Sequence, residues 1–85
     1  MIEVIHVEEF SNSMGSIKRI YIKKDEKEYC ISECPNFSKG INEVLVFESN
    51  NMVVSNATSV LESREKTAED CLRNIISGQE EIYTR

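Results

Sequence analysis

The sequence is poor in the residues that most enzymes use for chemistry, since it has one histidine and three scattered glycines in 85 residues. His6 lies in an apolar stretch with no nucleophile motif beside it, and three separated glycines cannot form a phosphate-binding loop. The cysteines, Cys30, Cys34 and Cys71, lack the spacing of redox pairs and of zinc ribbons. We therefore predict a protein that is not an enzyme and that has no catalytic residue, no metal site and no cofactor.

Long apolar runs are also missing, and no stretch approaches the roughly 18 residues that a membrane span requires. The N-terminus lacks the basic-then-apolar pattern of a secretion signal, and the number of cysteines is odd. These features predict a protein of the reducing cytoplasm, or of the host-cell cytoplasm if a phage encodes it. The length fits one small domain, residues 1–85, whose single core is only just sufficient.

Fifteen acidic and ten basic residues give a net charge of −5, which argues against direct binding of nucleic acid and favours a basic partner protein. The charges are distributed unevenly along the chain. The hairpin described below is basic, with Lys18, Arg19, Lys23, Lys24 and Lys27. The C-terminal part is acidic, with Glu62, Glu65, Glu69, Asp70, Glu80 and Glu81. A basic hairpin that binds RNA or DNA is a minor alternative.

The segment from Ile17 to Glu33 has the pattern of two strands that face each other across a polar turn centred on Asp25 and Glu26. Apolar residues recur at every second position on both sides, which is the period of a half-buried strand. The predicted register pairs Ile22 with Tyr29, Ile20 with Ile31, and Lys23 with Glu28. The last pair joins opposite charges, which supports this register. The absence of Asn-Gly or Asp-Gly argues against a tight primed turn.

On the N-terminal side of this hairpin, the run from Ile2 to Val7 predicts a first strand. The serine-rich segment from Ser11 to Ser16 predicts a loop between the two. On the C-terminal side, Cys34-Pro35-Asn36 predicts the end of regular pairing, because Pro35 has no N–H to donate.

The run from Ile41 to Phe47 is compatible with either a strand or a helix. We favour a strand, because Asn50-Asn51 separates this run from Met52-Val53-Val54 as a hairpin turn would. A further strand is predicted over Ser59 to Leu61.

A helix is predicted to begin after Thr67, which is a suitable N-cap, and to end at Gly78. Its apolar face contains Ala68, Cys71, Leu72, Ile75 and Ile76. Such a face must be buried, and the apolar face of the strands is the only large candidate.

The sequence therefore predicts an α+β domain, with an antiparallel sheet of four to five strands and one C-terminal α-helix packed on one face. The predicted core residues are Ile20, Ile22, Ile31, Leu72, Ile75 and Ile76. The segment from Gln79 to Arg85 is a polar tail to which no structure is assigned.

The charged turn of the hairpin is the candidate functional site. Asp25, Glu26, Glu28 and Glu33 are the predicted partner-binding residues, because their carboxylates can be offered to arginines and lysines of another protein. The simpler interpretation is a solvated turn without a function. The identity of the partner and the oligomeric state stay open at this point.

The same hairpin resembles part of the small acidic type II-A anti-CRISPR proteins, which inhibit RNA-guided DNA nucleases. The matching segments are Ser16-Ile17, Ile20-Tyr21-Ile22-Lys23 and Glu28-Tyr29-Cys30-Ile31-Ser32-Glu33, and they are similar to the second and third strands of that family's sheet. In the family, acidic residues around this hairpin occupy the site where the nuclease reads its target-adjacent DNA motif. The resemblance implies that role for Glu28 and, across a shorter turn, for Asp25. The family's helix before the first strand has no counterpart in Met1 to Phe10.

A second segment, from Lys66 to Ile76, is similar to the helix of HicB-like antitoxins. Two functions are therefore considered. The first is a non-enzymatic, anti-CRISPR-like inhibitor, whose acidic, DNA-mimicking surface blocks the nucleic-acid-binding channel of a bacterial defence nuclease. The alternative is an antitoxin-type or other small protein-interaction module that binds a partner protein.

Overall fold

An antiparallel sheet with one helix on one of its faces forms the protein in the computed structural model, which describes residues 1–13 and 15–83. The elements are β1 (Ile2–Asn12), β2 (Gly15–Lys24), β3 (Lys27–Asn36), β4 (Ile41–Asn50), β5 (Val53–Val54), β6 (Leu61–Glu62) and α1 (Ala68–Ser77). The strands follow the order β1-β2-β3-β4-β5, and β6 also pairs with β4. The predicted α+β fold is confirmed, with the two short strands β5 and β6 extending the sheet.

The register of the β2–β3 hairpin is confirmed, with Ile22 opposite Tyr29 and Lys23 opposite Glu28. The expectation about its turn is wrong. Asp25 and Glu26 have φ values of 52° and 68°, so both central residues are left-handed, as in a tight primed turn. Aspartate tolerates this conformation. Glu26 adopts it because the paired strands on both sides fix a two-residue turn.

The first strand is longer than predicted, because β1 continues through the polar residues as far as Asn12. Opposite charges face each other along its pairing with β2. The three pairs are Glu3 with Lys23, Glu8 with Arg19, and Glu9 with Lys18. A strand without a helix over it needs no apolar alternation, so the sequence pattern could not reveal its length. The loop predicted over Ser11 to Ser16 is therefore shorter, because β1 ends at Asn12 and β2 begins at Gly15. Met14 lies outside the described residues.

Pro35 does not end regular pairing as predicted, because β3 continues to Asn36 and places Pro35 opposite Asn42 of β4. The pairing of β3 with β2 ends at Glu33. Beyond that point this edge of β3 pairs with no strand of the described residues, and a proline without an N–H is tolerated at such an edge.

The ambiguous run from Ile41 to Phe47 is a strand, since it lies within β4, and the helical alternative is wrong. Asn51 and Met52 form the turn into β5, with φ values of 51° and 63°. The strand predicted over Ser59 to Leu61 is displaced to Leu61–Glu62.

The helix begins and ends where the sequence predicts. Thr67 accepts a hydrogen bond from the Asp70 N–H at 3.2 Å, and the left-handed Gly78 ends α1. Ala68, Cys71 and Ile75 are buried against the sheet. The buried stripe is narrow, because these three residues are the buried ones of α1.

Four of the predicted core residues, Ile20, Ile22, Ile31 and Ile75, are confirmed as buried. Leu72 is only partly buried at the margin of the core. Ile76 is 61% exposed, so its assignment to the core is wrong. It follows Ile75 by one position, and a step of one residue turns the side chain away from a narrow stripe.

The segment after the helix is packed rather than a free tail. Ile82 joins the core cluster, and the Tyr83 N–H donates to the Val60 carbonyl at 3.1 Å. Glu80 is also buried. Thr84 and Arg85, the last residues of the predicted tail, lie outside the described residues. No helix within residues 1–13 and 15–83 combines the length and the apolar character needed to cross a lipid bilayer.

Candidate protein-binding site

The turn between β2 and β3 presents two exposed carboxylates, Asp25 and Glu26, which we call the hairpin tip. Both backbones are held in the left-handed region by the two-residue turn. Within residues 1–13 and 15–83, neither carboxylate has a hydrogen-bond or ion-pair partner. The hairpin tip therefore combines a fixed backbone with carboxylates that are free to accept hydrogen bonds from another molecule.

Glu28 is also part of the predicted site, but its carboxylate is engaged within the fold. Its Oε2 accepts hydrogen bonds from the Ser49 hydroxyl at 2.6 Å and from the Met52 N–H at 2.8 Å. The hydrogen bond from Ser49 is the main cause that lowers the pKa of Glu28, and the Met52 and Asn51 N–H groups add to it against the opposing effect of burial. Glu28 thus holds the β4–β5 turn against β3.

Glu33 has a comparable structural partner at the other end of β3. Its Oε1 accepts a hydrogen bond from the Ala68 N–H at 2.8 Å. The first N–H groups of a helix have no partner within the helix, and a carboxylate there also suits the positive end of the helix dipole. Close by, the Lys18 ammonium lies 2.7 Å from Glu69. Glu33 therefore fixes the start of α1 on the sheet.

The four predicted site residues do not form one cluster. Glu28 and Glu33 are five positions apart on β3, which places them on opposite faces and roughly 17 Å apart at about 3.4 Å per residue. A shallow groove beside the hairpin tip is lined by charges of both signs, including Lys23, Lys27 and Glu48. The structure thus separates the exposed hairpin tip from two carboxylates with roles in the fold.

The face of the sheet away from α1, which we call the open face, carries a second candidate surface that the sequence analysis missed. Tyr21 and Cys30 are opposite each other on this face and are buried, and Phe47 is opposite Cys30. The His6 ring lies over Tyr21, with 6.1 Å between ring centroids. The signal in the sequence is the uninterrupted run Ile20-Tyr21-Ile22, because three consecutive apolar residues indicate burial on both faces.

All three phenylalanines of the chain lie outside the main core. Phe10 and Phe37 are 53% and 68% exposed, and Phe47 is half-buried. A groove of about 410 Å³ on the open face is lined by Ser32, Cys34, Pro35, Asn36, Phe37, Glu43, Leu45 and Phe47. Exposed aromatic and apolar groups of this kind are typical of protein-binding surfaces.

The histidine and the buried cysteines of the chain lie in different environments. Nε2 of His6 lies 3.4 Å from a carboxylate oxygen of Glu8. Burial raises the pKa of Cys71 to about 11 and also raises that of Cys30, so both thiols stay protonated near neutral pH. In the described part of the chain no cluster of His, Cys, Asp or Glu has the geometry of a metal site.

Comparisons of this chain with protein-family models, curated proteins and solved structures find no match. Two surfaces of this chain itself are therefore the candidates for a function. They are the hairpin tip, with its free carboxylates, and the open face, with its exposed aromatic side chains.

Proposed function

We propose that this protein acts by binding another protein, without catalysis, and that the hairpin tip enters a basic site of that partner. The observation that carries the proposal is the freedom of the Asp25 and Glu26 carboxylates on a rigid two-residue turn. The other two carboxylates of the predicted site, Glu28 and Glu33, have partners within the fold. A pre-organised turn loses little conformational freedom on binding, which favours affinity.

The target that we propose is the nucleic-acid-binding channel of a bacterial RNA-guided nuclease. The support comes from the resemblance of the hairpin to the type II-A anti-CRISPR proteins and from the net charge of −5. Such channels hold duplexes through lysine and arginine side chains, which also bind carboxylates. An acidic domain is attracted to them over distance. The protein would then act as an inhibitor that mimics DNA.

The test is a DNA-cleavage assay of a purified RNA-guided nuclease with increasing amounts of the protein. The informative variant carries Asp25→Asn and Glu26→Gly together. It removes both carboxylates, yet Asn-Gly is the preferred sequence of a tight primed turn, so the hairpin keeps its shape. We expect the concentration needed for inhibition to rise at least about tenfold, and added salt to slow association of the unmodified protein.

A matched control removes two exposed carboxylates elsewhere, through Glu62→Gln and Glu81→Gln. It changes the net charge by the same amount and leaves the hairpin tip intact. If general negative charge were responsible, both variants would lose inhibition equally, which contradicts a role for the hairpin tip. A wild-type protein that leaves cleavage unchanged would contradict the nuclease as a target.

The open face favours a second candidate function, a protein-interaction module of the antitoxin type. Its support is the exposure of Phe10 and Phe37 and the position of Phe47 in the groove, together with the similarity of the helix to HicB-like antitoxins. Such a module would hold a partner toxin through apolar contacts. Its binding would survive loss of the hairpin tip carboxylates and would be weakened by Phe37→Ser.

A further inference from the structure

The two edges of the sheet differ in how far other parts of the chain cover them. Next to β4 the edge is covered by β5 and β6 and by hydrogen bonds such as that from the Val60 N–H to the Val46 carbonyl at 2.8 Å. At the opposite edge β1 runs for 11 residues and, within the described residues, pairs only with β2. A long uncovered edge offers a row of N–H and C=O groups to another strand.

The hairpin geometry identifies which backbone groups of β1 point outward. The two-residue turn makes Lys24 and Lys27 a hydrogen-bonded pair, and pairs alternate from there along the antiparallel ladders. Ile20 therefore bonds to β3, and its partner on the other side, Val7, directs its N–H and C=O away from the sheet. The same holds for Glu9, whereas His6 and Glu8 bond to β2.

The side chains of β1 protect this edge only in part. Natural edge strands are commonly protected by charged side chains, above all lysine, by proline or by a β-bulge. β1 has three glutamates and one bulge but neither lysine nor proline. Val4, Val7 and Phe10 are each about half exposed, at 47%, 49% and 53%. A strand from another molecule, lying alongside at about 4.8 Å, would cover them.

We propose that the occupant of this edge is a second copy of this chain, paired β1 to β1 in antiparallel orientation about a two-fold axis at Val7. In this register His6 of each copy lies opposite Glu8 of the other, and no glutamate lies opposite a glutamate. An axis at Glu8 or at Glu9 would place that glutamate opposite the same glutamate of the other copy. Like charges directly opposite each other destabilise an antiparallel pair. Of these three axes, only the one at Val7 avoids a pair of facing glutamates.

The pairing closes on itself. A two-fold contact between the two β1 strands uses the free edge of each copy, and the other edge is already covered by β5 and β6. The product is a closed dimer rather than an open-ended filament. The bulge between Val4 and His6 places the irregular residue of each strand outside the central pairs. A domain of this size also gains from an added interface, because its own core is small.

Pairing through β1 does not involve the hairpin tip. Ile2 is paired with Lys24 beside that tip, so an axis at Val7 leaves the tips of the two copies at opposite ends of the joined sheet. Both tips stay accessible in the dimer.

The first test is sedimentation equilibrium of the full chain across the micromolar range, with Val7→Pro as the variant. Proline removes only an N–H that points away from β2, so it is tolerated in this edge strand but blocks docking. The control, Val7→Thr, keeps the N–H. We expect the wild-type chain and Val7→Thr to approach twice the monomer mass of 9.8 kDa. Val7→Pro should dimerise at least about tenfold more weakly, with an unchanged circular dichroism spectrum.

A second measurement tests the register. It does not use the proline variant, so it remains informative even if that variant does not fold. In a Cys34→Ser background, which removes the exposed thiol, Val7→Cys and Glu9→Cys are oxidised separately. Only Val7→Cys places two sulfurs across the axis within disulfide reach, so it should cross-link much faster. Equal cross-linking of the two variants, faster cross-linking of Glu9→Cys, or a wild-type chain that is monomeric at every concentration would overturn the proposal.

Discussion

Glu80 is the residue on which the C-terminal part of the chain depends. Its Oε1 accepts hydrogen bonds from the Ser63 hydroxyl and the Asn74 amide, each at 2.8 Å, and its Oε2 accepts one from the Arg64 N–H at 3.2 Å. Burial opposes its ionisation, but these hydrogen bonds outweigh burial and hold the pKa of Glu80 below its ordinary value. One carboxylate thus joins the segment after β6, the helix and the C-terminal segment.

The first prediction is that Glu80→Gln destabilises the protein in a pH-dependent manner. The amide can accept at only one of the two positions, so we expect a loss of about 1–3 kcal/mol at neutral pH. The lowered pKa stabilises the fold above the unfolded value of about 4.3, and this stabilisation is lost as the pH falls through the folded value. Urea unfolding at a series of pH values measures the difference between wild type and variant. A difference that stays constant from pH 7 to strongly acidic solution would refute the assignment.

Glu28 and Glu33 show why the roles of single residues were hard to predict from the sequence. In the sequence they look like Asp25 and Glu26, since all four are acidic residues of one charged hairpin. Their partners, Ser49 and the Ala68 N–H, are 21 and 35 positions away. No local pattern reports contacts at such separations, so the sequence could propose a set of carboxylates but could not tell which of them are free.

At the scale of elements, the position of α1 on the sheet makes neighbouring isoleucines unequal. Ile75 is 5% exposed in the core, whereas Ile76 is 61% exposed. We predict that Ile75→Ala lowers the free energy of unfolding by about 2–5 kcal/mol and that Ile76→Ala changes it by less than about 0.5 kcal/mol. Chemical denaturation of the two variants measures both values. Equal effects would mean that α1 is rotated about its axis.

The hairpin and the helix were predictable because their signals are local. Alternation and one charge pair determine the β2–β3 register, and Thr67 and Gly78 mark the ends of α1. The turn type was not predictable, because left-handed Asp25 and Glu26 are imposed by the ladders on both sides. The place of Pro35 inside a paired strand was not predictable for a similar reason, since a proline there is tolerated only because the pairing of β3 with β2 ends before it.

At the scale of the whole molecule, the sheet separates three surfaces. One face is buried under α1, the open face carries the exposed aromatic side chains, and the hairpin tip lies at one end. In the dimer proposed above, the β1 strands would meet at the centre and the two tips would point outward. The sequence indicated a hairpin with a charged turn, but the open face and the uncovered edge depend on how strands pair across the whole sheet.

Amide hydrogen exchange of the protein, alone and with a saturating amount of a purified RNA-guided nuclease, tests the central claim most directly. Binding through the hairpin tip predicts slower exchange in residues 23–27 and little change in residues 32–47 of the open face. The same experiment with Asp25→Asn, Glu26→Gly should lose this protection. Slower exchange confined to residues 32–47, or exchange that the nuclease leaves unchanged throughout the chain, would contradict it.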